Sequence, residues 1–320
     1  MFAVNFTVHT PAEMGLTGIA SFAKSPLCTD LTNLQADIAV LGAPCDIAVQ
    51  GKPGARMGPR AIRDASTGFR MSEDGFYDPE RDDYFLSARR WKLVDCGDAD
   101  YVPGDLAATF DNIENAVRLV ARSGALPVVL GGDHSVSIPV SRGLDEIGDF
   151  NVIHIDAHLD WTSHCGDALL FNGCPCRRMA ELPYVKRMFH LGIRGTGSSK
   201  KSDYDDARSR GDVILSPKAM RAMGWDRVTA LFPRGEKYYV TIDIDGFDAV
   251  LCPGTGAPSF GGLLFDEVMA LLEGAAAVGQ VIAVDLVEVA PPYDDRSGTT
   301  AQLAATTLMN FLGYITKARE

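Results

Sequence analysis

The chain has 320 residues with 30 Lys and Arg against 42 Asp and Glu, a net charge of −12. An isoelectric point near 4.9 argues against nucleic acid or an anionic membrane as partner and favours a cationic small molecule. The length allows one large α/β domain with a sizeable core. The first residues lack the basic and apolar regions of a signal peptide and no apolar run is long enough to span a bilayer, so the cytoplasm is the expected compartment. Seven cysteines without zinc-finger spacing fit reduced thiols. Cys174-Pro-Cys176 lacks the two-residue spacer of the usual redox and zinc motifs.

Residues 1–36 read as a poorly periodic arm of the kind that packs on a neighbouring subunit, and residues 37–320 as one domain. A short buried strand at 38–41 is followed by a glycine-rich loop at 51–63, whose turn chemistry precedes a helix. A strand at 91–95 comes next, then a helix over 106–122 that places Leu106, Phe110, Ile113, Ala116, Val117 and Val120 on one face. Strand 127–130 runs into Gly131-Gly132-Asp133-His134-Ser135, where the glycines permit a tight turn, and residues 136–144 begin a helix. Strand 151–156 precedes a loop to residue 173, a helix near 174–182 and a strand at 187–191. A helix around 201–210, a strand at 213–215, a helix at 217–231 and a strand at 237–243 follow. The loop 248–262 is rich in Pro and Gly; a helix at 265–277, a strand at 281–285 and a helix over 299–318 complete the chain. Near-continuously apolar strands alternating with helices mean a parallel sheet covered on both faces, with ligands bound beyond the carboxyl ends of its strands.

Acids and histidines gather at those ends. The stretch NVIHIDAHLD at 151–160 closes on Asp156, His158 and Asp160, and residues two apart in an extended segment share a face. YYVTIDIDGFD at 238–248 closes in the same way on Asp243, Asp245 and Asp248, and the GGDHS turn adds His134. So many close carboxylates repel one another as bare charges, and bound cations are the natural remedy. Mixed histidine and carboxylate donors suit Mn, Zn, Ni or Fe. Six ligands are too many for one ion, and with Asp156 and Asp243 each offering two oxygens the set divides into a binuclear site.

GGDHS, DAHLD, DIDGFDAVLCPGTGAP and DLVEVAPPYD, with GARMGPRAIR upstream and HLGIRG between, resemble the ureohydrolase family of arginase, agmatinase and guanidinobutyrase. The resemblance is nearest to the agmatinase-like branch and runs in order from the neighbourhood of Ile38 to the C terminus. It implies a three-layer αβα fold with an eight-stranded, mainly parallel sheet. It also implies two divalent ions per chain, Mn2+ or Ni2+, and a trimer or hexamer of one or two kinds of subunit. One ion would take His134, Asp156, Asp160 and Asp243, the other Asp156, His158, Asp243 and Asp245. The implied reaction is hydrolysis of a C–N bond in a guanidino compound, in which metal-activated water attacks the central carbon and an amine is expelled. Asp160 would accept the nucleophile's hydrogen bond, and Glu288 matches the carboxylate that binds the guanidinium.

The main departure is Asn172. Alignment on Arg177-Arg178 puts it where relatives carry a histidine, and an amide cannot titrate near neutral pH. His164 and Asp167, in the same loop, are candidates to take over the proton, against the competing reading of solvated loop residues. Trp161 offers an apolar face that either shapes the pocket or packs in the core. The candidate catalytic set is therefore Asp160, Asp248, Glu288, Asn172 and His164, with Glu288, Trp161 and Asn172 as substrate contacts. The altered loop points to a non-standard substrate: guanidine, an alkylguanidine, or a biguanide like metformin. A non-catalytic or helper subunit of a heteromeric ureohydrolase is the alternative; loss of the histidine favours it and the complete ligand set opposes it. A deacetylase is opposed by Asp245 and Glu288.

Overall fold

A computed structural model of the protein describes residue 15, residues 17–69 and residues 73–320. Ten strands occur among the described residues: β1 (Ile38–Ala43), β2 (Phe76–Asp78), β3 (Asp83–Phe85), β4 (Leu93–Asp98), β5 (Leu126–Gly131), β6 (Phe150–Ile155), β7 (Val185–Leu191), β8 (Val213–Leu215), β9 (Lys237–Asp243) and β10 (Gln280–Val287). Eight of them form one sheet in the order β4-β1-β5-β10-β9-β6-β7-β8, and every pairing in it is parallel. This is the expected eight-stranded αβα arrangement.

The helices are α1 (Gly58–Ser66), α2 (Leu106–Arg122), α3 (Ser137–Arg142), α4 (Pro175–Ala180), α5 (Lys201–Ser209), α6 (Pro217–Met223), α7 (Trp225–Thr229), α8 (Phe265–Val278) and α9 (Thr299–Ala318). Strand side chains alternate between faces, so Ile38 and Val40 join one core cluster and Ala39 and Leu41 the other. Ile62 of α1, Leu271 of α8 and Leu308 of α9 cover the first face. Phe110 of α2, Ile138 of α3 and Met179 of α4 cover the second. Each such fully buried side chain contributes about 1.5–3 kcal/mol, which makes the two cores the main support of the sheet.

Three expectations change. The glycine-rich segment becomes helical from Gly58 rather than remaining a loop to Arg63, because Pro59 presets the first turn. The helix expected over 217–231 is two helices, broken where Gly224 adopts φ 88°. The short antiparallel hairpin β2–β3 has no counterpart in the sequence reading; it is held by Phe85 against Phe76 and Tyr314 rather than by strand length. Of the expected N-terminal arm, residues 1–14 and 16 lie outside the described residues. Its described part packs on its own chain: Phe22 is buried and its N–H donates to Asp95 Oδ2 at 2.7 Å. No described helix is long and apolar enough to cross a membrane.

The topology makes β5, β10, β9 and β6 consecutive neighbours in the middle of the sheet. Their carboxyl ends therefore deliver His134, Glu288, Asp243 and Asp156 to one place.

Candidate active site

His134 follows β5 through a turn that Asp133 caps by accepting from the Ser135 N–H at 2.9 Å. Gly132 is required in that turn, since a Cβ there would lie 1.7 Å from the Cys45 carbonyl oxygen. His134 Nε2 meets Thr241 Oγ1 at 3.0 Å, which turns Nδ1 toward the acids. That nitrogen lies 3.0 Å from Asp156 Oδ2, 3.0 Å from Asp160 Oδ2 and 3.2 Å from Asp243 Oδ2. It makes no well-aligned hydrogen bond to any of them, although the side chain is 1% exposed. A buried ring nitrogen and three carboxylate oxygens converging without well-aligned mutual hydrogen bonds fit a cation between them.

A second group adjoins the first. His158 Nδ1 is 3.1 Å from Asp245 Oδ2 and 3.5 Å from Asp156 Oδ1. Asp156 thus offers Oδ2 to one group and Oδ1 to the other. Asp243 aims Oδ2 at the first group, while its Oδ1 accepts from the Asp245 N–H at 2.8 Å.

The electrostatics follow from the crowding. Burial opposes charge on His134, but the close carboxylates of Asp156, Asp160 and Asp243 outweigh it and hold the ring well above its ordinary value. Burial likewise opposes charge on His158, and Asp156 and Asp245 push it up to about 12. Burial, then the charges of Asp245 and Asp156, raise Asp243 well above the carboxylate range.

Glu288 stands beside this centre, 6% exposed. Its Oε1 accepts from the His134 N–H at 3.0 Å and from Asn172 Nδ2 at 3.3 Å. Burial, then the charge of Asp133, push its carboxyl up to about 8. Glu288 and Asp160 both hold left-handed backbone, at φ 63° and 52°, a conformation that costs non-glycine residues of order 1–3 kcal/mol and persists where the surroundings over-determine it. A cavity of about 190 Å³ opens over these groups; Gln50, Lys52, Asn172 and Ser198 line it together with His158, Asp160, Asp245 and Glu288.

The six acids and histidines expected to act together, His134, Asp156, His158, Asp160, Asp243 and Asp245, do converge, and Asn172 and Glu288 join them. Four expected candidates do not. Trp161 is 1% exposed, donates from Nε1 to Asp206 Oδ2 at 2.8 Å and packs on His190; burial of its large ring takes it behind the pocket wall. His164 is exposed, with Nδ1 against Ser163 Oγ at 2.8 Å, and Asp167 is exposed as well. Neither lines the pocket, because the loop carries them outward past Thr162. Asp248 accepts from the N–H groups of Val250 and Gly262 at 3.1 and 2.9 Å. The 3-10 turn Ile244–Gly246 ends the strand alternation before it, so Asp248 closes the following loop instead of facing the centre.

Sequence reasoning overlooked His154, which shares the face of Asp156 by the same two-residue period, as well as Arg194 and Lys52. Arg194 donates to the carbonyls of Asp245, Phe247 and Ser259 at 2.7, 2.9 and 2.8 Å. The period could have exposed His154, and Arg194 sits in the HLGIRG motif without having been given a role; nothing local marks Lys52.

A parallel αβα sheet carrying this constellation at its central carboxyl ends defines a hydrolase of the ureohydrolase class. The chain belongs to the arginase family, whose model matches residues 36–313. It is similar to the mitochondrial guanidino acid hydrolase of Homo sapiens, 32% identical over 309 residues that cover 94% of this chain and 84% of that one. It is equally similar to the agmatinase of Edwardsiella ictaluri, 32% identical over 320 residues covering 98% of each. Among solved structures, the proclavaminate amidino hydrolase of Streptomyces clavuligerus superposes with a TM-score of 0.84 at 28% identity, covering 95% of this chain and 99% of that one.

Proposed function

We propose that the chain is a binuclear metal hydrolase that cleaves a C–N bond of a small guanidino compound bearing a single positive charge. The observation that carries this reading is the pair of ligand groups sharing Asp156, with the carboxyl of Glu288 in the same pocket. His134, Asp156, Asp160 and Asp243 would hold one ion, and Asp156, His158 and Asp245, with Asp243 beside them, the other; Mn2+ and Ni2+ suit this oxygen-rich donor set. When bound, the ions supply a nucleophile at neutral pH by lowering the pKa of water.

The chain's own residues do the rest. Ionised Glu288 pairs with the planar cation by charge-assisted hydrogen bonds. Asn172 holds Glu288 in place with a donor that needs no proton to be gained or lost. Asp160, in the pocket lining, accepts the nucleophile's hydrogen bond.

Apart from the proposed ligands and Glu288, Lys52 is the one charged residue among the described residues lining the cavity. A second ammonium, as in agmatine, would meet like charge there, whereas a neutral or acidic far end would not. The similarity to both a guanidino acid hydrolase and an agmatinase leaves that end open, and Lys52 favours a guanidino acid, guanidine, an alkylguanidine or a biguanide. Assembly as a trimer or hexamer belongs to the same reading.

The test is amine release and substrate loss by the full chain loaded with Mn2+ or Ni2+, across agmatine, 4-guanidinobutyrate, 3-guanidinopropionate, guanidine, methylguanidine and metformin. Turnover of a singly charged compound in preference to agmatine is expected. Silence across the panel with two ions bound would sink the enzymatic reading in favour of a helper subunit.

A further inference from the structure

Asp156 serves both ligand groups only if its carboxylate keeps one rotation; the His158 N–H donates to Oδ1 at 2.5 Å, and Oδ2 needs a hold of its own. Two buried histidines stand behind it. His154 and His190 are register partners on the adjacent parallel strands β6 and β7, and both are 0% exposed. His154 Nε2 lies 2.8 Å from Asp156 Oδ2, and its Nδ1 lies 3.0 Å from His190 Nδ1. Among the described residues His190 Nε2 has no hydrogen-bond partner, and the Trp161 ring stands perpendicular to the imidazole at 5.7 Å.

Counting donors assigns the protons. An Asp156 carboxylate only accepts, so His154 Nε2 carries a proton. A neutral imidazole has one donor and one acceptor. His154 Nδ1 therefore accepts, the proton between the rings belongs to His190 Nδ1, and His190 Nε2 is a bare lone pair. The other arrangement makes His154 a cation donating from both nitrogens. It would bury an imidazolium and leave an N–H on His190 Nε2 with no acceptor, a costlier defect than an idle lone pair.

We propose that His190 and His154 are positioning residues: His190 donates to His154, His154 donates to Asp156, and the chain fixes Asp156 with Oδ2 at His134 and Oδ1 at His158. Thr241 does the matching work for the other side. It is the register partner of His154 on β9, and its contact with His134 Nε2 at 3.0 Å keeps Nδ1 of that ring turned to the acids. One row across three strands thus orients both the histidine and the shared carboxylate. This inference rests on the metal reading given above. Cys176 adjoins both rings, with its sulfur and one nitrogen of each ring all within 4.8 Å of one another. An ion held there would take one nitrogen of each ring and break the chain of hydrogen bonds at His154, so the metal count also bears on the proposal.

The experiment is a double-mutant cycle on the full chain read by Mn2+ affinity in chelator competition, with side-chain nitrogen NMR of the histidine tautomers of the native protein. His190→Leu, which cannot donate, is expected to weaken Mn2+ binding about 10- to 100-fold, whereas His190→Asn, whose amide N–H replaces Nδ1–H, stays within about threefold. His154→Gln keeps a donor to Asp156 and no longer needs the neighbouring ring, so adding His190→Leu to it should change little. Native affinity in His190→Leu, or an unreduced effect of His190→Leu in the His154→Gln background, would overturn the proposal. So would a proton found on His190 Nε2, or three ions per chain. If His190→Leu does not fold, the tautomers alone decide. A native chain that bound neither Mn2+ nor Ni2+ would instead refute the metal reading, a result that the metal-free tautomer measurement keeps separate.

Discussion

Asn172 and Glu288 stand 116 positions apart in the chain and share a hydrogen bond of 3.3 Å, from amide Nδ2 to carboxylate Oε1. The same amide accepts from the Gln50 N–H at 3.0 Å, and the Asn172 N–H donates to the Ala48 carbonyl at 3.1 Å. One side chain thereby ties two loops and the end of β10 into a single pocket wall. Asn172→Ala leaves Glu288 Oε1 with the His134 N–H alone and frees the loop. It is expected to raise KM about 10- to 150-fold, the worth of about 1.5–3 kcal/mol for a hydrogen bond to a charged group, with a smaller change in kcat. Asn172→Asp, of the same shape but with an acceptor facing an acceptor, should lose more. Steady-state kinetics of the two variants check this; native KM in Asn172→Ala would remove the residue from substrate binding.

Glu288 must be ionised to hold a guanidinium, yet burial and the nearby Asp133 put its carboxyl at about 8 against an ordinary 4.5. An acid limb in kcat/KM follows, rising with pH and levelling at or below pH 8, since bound cations favour the carboxylate and move the limb down. Glu288→Gln should abolish both the limb and most of the activity. The sign for stability is opposite. A carboxyl raised in the folded state binds more protons there than when unfolded, so between 4.5 and about 8 it makes stability fall as pH rises. The metal-free Glu288→Gln protein should therefore melt higher than the native one above pH 8. A pH–rate profile and a pair of melting curves suffice to check both statements.

The fold and the centre were legible for the same reason. A parallel strand buried on both faces must be apolar until it ends, so the first acids at the end of the apolar run, Asp156 just after β6 and Asp243 as the last residue of β9, mark the functional edge directly. Asp248 shows where the logic stops: the turn Ile244–Gly246 abolishes the two-residue period before reaching it. Trp161 follows Asp160 at once and still faces away, because which side of a loop is dry depends on Asp206, His190 and Arg210, residues brought there only by α5 and β7. The β2–β3 hairpin was illegible because three-residue strands carry no period to read.

Arg194 binds the loops around the centre from below. Besides the carbonyls of Asp245, Phe247 and Ser259, it reaches those of Gly192, Gly246 and Phe260 at 3.0, 3.3 and 3.1 Å. Lysine keeps the charge but has a single nitrogen and no planar fork, so Arg194→Lys leaves several buried carbonyls unpaired. A loss of about 2–4 kcal/mol is expected, at about 1–3 kcal/mol for each group left without a partner and partial repair by water. Urea titration of the metal-free protein measures this. Ion counting by mass spectrometry should show the loaded variant short of metal, because Asp245 hangs from this backbone; full occupancy would confine Arg194 to general stability.

Metal uptake should release protons. His134 is held well above its ordinary value and His158 at about 12, each against burial by the surrounding carboxylates, which favours the imidazolium form of both in the metal-free protein at neutral pH. Asp243, raised by burial and by the charges of Asp245 and Asp156, holds a proton as well. A ligating nitrogen or oxygen must give its proton up, so loading the chain should release about two to three protons and affinity should fall as pH falls. The stability consequence follows from the direction of the shifts. Groups raised from 6.5 stabilise the metal-free fold fully below that value and lose their contribution as pH climbs toward their folded values. The loaded protein meets less competition from protons over the same range. The difference in Tm between loaded and metal-free protein should therefore widen from about pH 6 to about pH 8. Calorimetric titration with Mn2+ in buffers of different ionisation enthalpy gives the proton count, and a count near zero would mean that the ligand nitrogens and oxygens are already free of protons in the metal-free protein.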